Sequence, residues 1–219
     1  MSKNQWNKIY KKDGKKYKYY DIIDIPHPDL EKVMKVFKKA KVKKVLDLGC
    51  GAGRNTWPMA KNGFEVYGLD LAKDGINLLK KYLNSKNLTA NLKVGDIFSP
   101  LPYNDNYFDA IVSVQVLQHG KEKDIKKSLK EVVRVLKPNG LIFITLCGRV
   151  SKGQVRFCLV KTAKKIAPNT YVPTQGGEAD LIHFIYNKEL IKKHYKDFKL
   201  IKMWRDDKDY FCFIAKNKK

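Results

Sequence analysis

Two aspartates bracket a run of glycines in this chain. Asp47 lies inside a short apolar run, Val45 to Leu48; Gly49, Gly51 and Gly53 follow at alternate positions; Asp70 ends a second apolar run, Phe64 to Leu69. A turn this rich in glycine lets the backbone take left-handed angles and lets a ligand approach without meeting a Cβ atom. A carboxylate at the tip of the second run can accept hydrogen bonds from both hydroxyls of a ribose, provided a right-handed crossover brings it beside the turn. The chemistry indicated is the binding of a nucleoside cofactor. The elements needed to place these groups are legible. Val45 to Leu48 reads as a strand buried on both faces. Asn55 or Thr56 caps a helix with Pro58 in its first turn, Asn62-Gly63 closes it, and Phe64 to Leu69 forms the next strand.

Which cofactor depends on the spacing. A dinucleotide fingerprint needs glycines at 49, 51 and 54, so that a helix N-terminus holds a pyrophosphate. Position 54 is Arg54, and the third glycine comes one residue early. The stretch "VLDLGCGAGRNT" instead resembles motif I of the class I S-adenosylmethionine-dependent methyltransferases, as found in the type 11 and tellurite-resistance-like branches. The resemblance implies that Asp47 faces the methionine ammonium, that Gly49, Cys50, Gly51, Gly53 and Arg54 form the cofactor turn, and that Asp70 takes the ribose. It continues after a third strand, Leu88 to Val94, where Asp96 would take the adenine amino group and the Ile97 amide a ring nitrogen, with Phe98 or Leu71 against the base. Beyond a fourth strand, Tyr107 to Val114, the segment from Val114 and Gln115 to Gln118 and His119 would pass under the methionine part, with Gln115 and His119 toward the reacting methyl. A helix, Asp124 to Leu136, ends at "KPNG" before a fifth strand, Leu141 to Leu146. The resemblance covers residues 43–146 through four blocks in order.

The fold expected is α/β: a three-layer, doubly wound seven-stranded sheet, mostly parallel, with an antiparallel C-terminal hairpin strand. Phe198 to Trp204 and Tyr210 to Ala215 read as that hairpin, which fits a methyltransferase sheet better than a nicotinamide-binding one. The expected organisation is one domain: 1–28 as an N-terminal lid or cap, 43–146 as the cofactor core, 147–196 as a substrate-side insertion and 197–219 as the hairpin. Trp6, Ile9 and Tyr10 share one face of a short helix that either packs on the core edge or closes over the cleft. Arg149 to Gly177 holds six basic residues and no acid, and its apolar spacing from Val155 to Ile166 is compatible with an amphipathic helix. A glycine-containing loop then leads to His183 and a short helix capped by Asn187.

Methyl transfer from a sulfonium needs positioning more than a nucleophilic side chain, and a general base is optional. His119 and His183 are the catalytic candidates; Tyr17, Tyr20, Gln118 and Tyr171 are candidates for the substrate pocket. No Asp/Asn-Pro-Pro-aromatic tetrapeptide and no Pro-Cys pair occurs, which argues against adenine amino methylation and pyrimidine carbon-5 methylation. The chain carries 45 basic and 22 acidic residues, a formal charge of +23, in 219 residues. Such a field attracts polyanions, although only five of those residues are arginine and lysine excess is also a compositional habit. The acceptor is therefore either a small molecule or an RNA, tRNA or rRNA. A non-catalytic nucleotide-binding protein and an NAD-dependent oxidoreductase are the less favoured alternatives. Cysteines at 50, 147, 158 and 212 lack paired spacing, which favours a reducing, cytoplasmic setting over a zinc knuckle or a secreted scaffold. No metal and no membrane contact are expected from the sequence.

Overall fold

A computed structural model of the chain describes residues 3–10 and 25–219. The elements run α1 (Lys3–Tyr10), α2 (Leu30–Lys39), β1 (Lys44–Leu48), α3 (Thr56–Lys61), β2 (Glu65–Asp70), α4 (Lys73–Ser85), β3 (Asn91–Val94), β4 (Phe108–Val114), α5 (Glu122–Val135) and β5 (Leu136–Leu146). Two short strands follow, β6 (Val150–Ser151) and β7 (Gln154–Val155), then a π-helical turn at Phe157–Lys161, β8 (Lys164–Ala167), β9 (Thr170–Val172), β10 (His183–Phe184), α6 (Lys188–His194), β11 (Phe198–Arg205) and β12 (Phe211–Asn217).

The principal sheet has seven strands in the order β11-β12-β5-β4-β1-β2-β3. Strands β1 to β5 pair in parallel, and β12 inserts antiparallel between β5 and β11. This is the expected α/β sheet with its C-terminal hairpin. Strand order reverses at β1, which has β2 on one side and β4 on the other, so a crevice opens at the carboxyl ends of β1 and β4.

Alternation along the strands divides the core into two layers. Ala110, Val112, Leu141, Phe143, Cys212 and Ile214 point to the side covered by Leu30, Val33, Met34 and Phe37 of α2. Ile111, Ile142, Ile144, Phe211 and Phe213 point the other way, onto Ile125, Leu129, Val132 and Val135 of α5. Both faces of the central strands are thus filled with aliphatic and aromatic side chains, each contributing roughly 1.5–3 kcal/mol when fully buried. That burial makes a rigid platform for loops at the crevice.

Two expectations need correction. The third strand starts at Asn91, later than Leu88. The apolar spacing from Val155 to Ile166 does not make a helix: it is divided among β7, the π-helical turn and β8. Lys152 and Gly153, at φ 49° and 76°, close the β6–β7 hairpin. Arg156 then anchors the chain by donating from Nε to the Gly148 carbonyl and from Nη2 to that of Lys208. Val155, Phe157 and Ile166 remain exposed while Leu159, Val160 and Ala163 pack with Cys147, Tyr171 and Ile185, so the stretch buries only its middle and not a continuous helical face.

Candidate active site

Strand β1 runs directly into the glycine turn. The Gly49 amide donates to the Leu69 carbonyl at 2.7 Å, which clasps the end of β1 to the end of β2. Gly51 has φ 54°, and a Cβ there would lie 2.3 Å from the Tyr10 hydroxyl; Gly53 has φ 93°, and a Cβ there would lie 2.1 Å from Cδ1 of Leu79. Conformation and space both require glycine at these two places.

Asp70 sits at the tip of β2. Its Oδ2 accepts from the Gly51 amide at 2.8 Å and its Oδ1 from the Ala72 amide at 2.7 Å. Burial raises its carboxyl above the usual range against those backbone donors. Asp70 lines the cavity, and a carboxylate offers about four acceptor sites, so its backbone donors do not exhaust its capacity. Asp47 is 2% exposed and lies beneath the turn, one carboxylate oxygen accepting from the Thr56 hydroxyl at 2.6 Å. Burial pushes it up to about 7, opposed by the Thr56 hydrogen bond and the Arg54 charge.

The cavity has a volume of about 710 Å³. Gly49, Cys50, Gly51, Gly53, Arg54, Asp70, Leu71, Asp96, Ile97, Val114, Gln115 and His119 all reach its wall. Asp96 braces its own loop, accepting from the Phe98 amide at 2.9 Å. Gln115 holds φ 60° and donates its amide to the Thr145 hydroxyl at 2.8 Å; a non-glycine residue in this region costs of order 1 kcal/mol and sits at the cavity floor. On the side facing the insertion, the wall is completed by Ser151, Lys152, Arg156, Leu159, Glu178 and Lys208.

His119 is 4% exposed and meets Trp6 edge to face, ring centroids 5.0 Å apart, and His183 at 4.5 Å. Burial, with the neighbouring His183, lowers its pKa to about 3, so the ring is neutral and a weak base. Trp6 and Tyr10 bring α1 onto the cavity wall. The Tyr10 hydroxyl is pushed well above its ordinary pKa, first by burial and then by the charge of Asp70.

Other expected site residues lie elsewhere. His183 is fully buried behind His119, off the wall. Gln118 is buried and accepts from the Cys147 amide, and the Tyr171 hydroxyl accepts from Arg149 at 3.0 Å; neither reaches the cavity. Asp47 is likewise not on the wall itself. Tyr17 and Tyr20 fall outside the described residues. Glu178 and the Lys152, Arg156 and Lys208 side of the cavity line it although no local motif marks them, whereas Tyr10 reaches it from the helix that the sequence placed either on the core edge or over the cleft.

These groups fit an adenosyl cofactor. Asp70 presents acceptors at the glycine turn, and Asp96 and Ile97 flank the third-strand side. Fold and cleft together define the class, a Rossmann-like S-adenosylmethionine-dependent methyltransferase domain. Residues 46–144, a little under half of the chain, match the family described as methyltransferase domain.

Among curated relatives, a tRNA N(3)-methylcytidine methyltransferase of Schizosaccharomyces pombe is 25% identical over 206 residues, 90% of this chain and 64% of that protein. A ubiquinone biosynthesis O-methyltransferase of Pelagibacter ubique is 34% identical over 119 residues, 54% of this chain and 48% of that protein. The chain thus spans between about half and two thirds of their lengths. A solved S-adenosylmethionine-dependent methyltransferase from Methanosarcina mazei shares the fold, with TM-score 0.69 and 23% identity over 80% of this chain and 92% of that one.

Proposed function

We propose that the chain transfers the methyl group of S-adenosylmethionine to a small-molecule acceptor held between the glycine turn and the 147–186 insertion. The observation that carries this reading is the shape of the cavity. Trp6 and Tyr10 of α1, the β6–β7 hairpin and the loop bearing Glu178 all line it, so that its acceptor side is a concave pocket walled by several elements of the chain. Bound there, the cofactor supplies an electrophilic methyl on a good leaving group. Asp70, Asp96, Ile97 and the glycine turn hold its nucleoside; Asp47 offers a buried negative charge for its amine. Gln115 and His119 orient the acceptor, His119 as a neutral lone-pair donor. Three of the four free thiols are buried, which fits a cytoplasmic setting; among the described residues no helix is long and apolar enough to cross a membrane.

A second reading, a base in tRNA, is favoured by one particular observation. The alignment to the S. pombe tRNA enzyme extends over 90% of this chain, well past the cofactor core, and the formal charge of +23 suits a phosphate backbone. Methyl-labelled cofactor supplied to total tRNA and to a small-metabolite extract, at low and moderate salt, separates the two. Label confined to metabolites supports the first reading. Label in tRNA that falls steeply with salt replaces it with the second, and no label in either fraction defeats both.

A further inference from the structure

Arg156 lines the cavity as a cation held in place without a carboxylate. Its Nε donates to the Gly148 carbonyl at 3.0 Å and its Nη2 to the Lys208 carbonyl at 2.8 Å, while the guanidinium carbon stands 4.5 Å from the centre of the Tyr210 ring. Two backbone ties and a ring face fix the plane of the fork. They engage its Nε–Nη2 side. A guanidinium has five N–H groups, and those on Nη1 meet no acceptor among the described residues.

Among the described residues no carboxylate lies at ion-pair distance from Arg156. Acids of the β11–β12 turn serve other donors: Asp206 accepts from the Lys208 and Tyr210 amides and stands 3.3 Å from Nε2 of His27, and Asp209 accepts from the Lys152 amide. Glu178 and Asp207 also line the cavity, but neither pairs with Arg156. Positive charge gathers around it instead. Lys152 and Lys208 line the same wall, and Arg205 comes to the same glycine, since a Cβ on Gly148 would lie 2.7 Å from its Nη1. Burial first, and the charge of Arg156 against that of Asp209, hold the Arg205 pKa below its ordinary value. Like charges on one wall repel, and an anion seated among them relieves that repulsion.

Sheet order puts this wall away from the nucleoside. The cofactor candidates come from the ends of β1 to β4 and stop at Gln115. Arg156 is tied to Gly148, just past β5, and to Lys208 in the β11–β12 turn, which lies at the same end of the sheet because Phe211 pairs with Leu146. With strands about 4.8 Å apart, β5 and β12 stand roughly 10 and 14 Å from β1. The fork therefore belongs to the acceptor side.

We propose that Arg156, with Lys152 and Lys208 beside it, is an anion subsite for the acceptor, and that the compound methylated is a small acid whose carboxylate or phosphate oxygens accept from the Nη1–Nη2 edge. A guanidinium fork holds either group through paired, charge-assisted N–H bonds, which fix orientation as well as charge. The inference rests on the small-molecule reading above and narrows its substrate class.

The test splits a small-metabolite extract on an anion-exchange resin into a retained, acidic fraction and a flow-through, and supplies each to the full-length protein with methyl-labelled cofactor. Label is expected from the acidic fraction; its loss after phosphatase treatment assigns the anion as a phosphate, its persistence as a carboxylate. Arg156→Met should raise the amount of that fraction needed for half-maximal labelling roughly tenfold or more, with a smaller fall in the rate at saturation, and leave S-adenosylhomocysteine affinity by calorimetry unchanged. Lys208→Met, an exposed side chain whose ammonium makes no hydrogen bond among the described residues, should raise it about threefold and does not depend on the backbone ties of Arg156. Label from the flow-through alone overturns the subsite and leaves the small-molecule reading standing. Label from neither fraction defeats that reading and the subsite with it. Half-maximal labelling unchanged in both variants also overturns the subsite, as does a matching loss of S-adenosylhomocysteine affinity, which would give the fork to the cofactor's own carboxylate.

Discussion

Asp47 gives the most demanding test of the cofactor assignment, because its titration links stability, binding and pH. The carboxyl is 2% exposed, and burial lifts it to about 7 even though Thr56 donates a hydrogen bond to it. An unfolded aspartate titrates near 3.9, so the folded chain holds this proton the more tightly. The sign follows: the contribution to stability is fully present below about pH 4 and is lost as pH rises through about 7. With 1.36 kcal/mol per unit, the loss is about 4 kcal/mol in the cofactor-free protein. If the cofactor's ammonium docks against Asp47, binding selects the ionised carboxylate and expels that proton. Affinity then rises by up to about tenfold per pH unit between about pH 5 and 7, and titration near pH 6 releases close to one proton. Calorimetry with S-adenosylhomocysteine in two buffers of different ionisation enthalpy counts that proton directly. Asp47→Asn abolishes the release and flattens the dependence, leaving whatever Asp70 contributes. Equal proton release in the wild type and in Asp47→Asn would refute the placement of the amine, and a wild-type stability that does not fall across this range would refute the buried titration.

Asp70→Ala removes the acceptor for the Gly51 and Ala72 amides, at a cost of about 1–3 kcal/mol per amide before solvent screening, and the ribose site with it. S-adenosylhomocysteine affinity should fall at least a hundredfold in a protein that still melts cooperatively. Gly51→Val forces a β-branched residue to φ 54° and a Cβ to 2.3 Å from the Tyr10 hydroxyl; it should weaken the same ligand at least tenfold and lower stability by about 1–2 kcal/mol, measured by thermal shift. Of the four free thiols only Cys158 is exposed, and it lines the cavity, so a thiol reagent should label it rapidly, and more slowly with cofactor bound. The other three should react only on unfolding. Asn187→Ala deletes the side-chain acceptor for the Leu190 amide at the start of α6 and should cost about 1 kcal/mol without altering cofactor affinity.

The cofactor half of the site is legible in the sequence because its chemistry is local. Gly49, Gly51, Gly53 and Asp70 belong to one strand-turn-helix-strand unit, in which the backbone angles of the turn and the length of the crossover decide where each group arrives. Asp96 and Gln115 follow the next two parallel strands by the same logic. The acceptor half obeys no such rule. Glu178 reaches the cavity because β9 and β10 pair, because the Asp180 amide bonds to the Pro173 carbonyl, and because Phe184 reaches back across the fold to Gln118. None of these contacts leaves a periodic trace. The Val155 to Ile166 spacing misleads for the same reason: helical periodicity reports an apolar face, and a face becomes a helix only where a neighbour buries it. Asp47 shows the converse. Its position within β1 is readable, whereas its pKa of about 7 depends on burial beneath the glycine turn and on Thr56, which the fold brings to 2.6 Å. Exchanging Thr56 for valine keeps the volume and removes only that donor, so it should raise the Asp47 pKa further and carry the proton release on cofactor binding to higher pH. A shift in the opposite direction would mean that the Thr56 hydroxyl accepts from the protonated carboxyl rather than donating to the carboxylate.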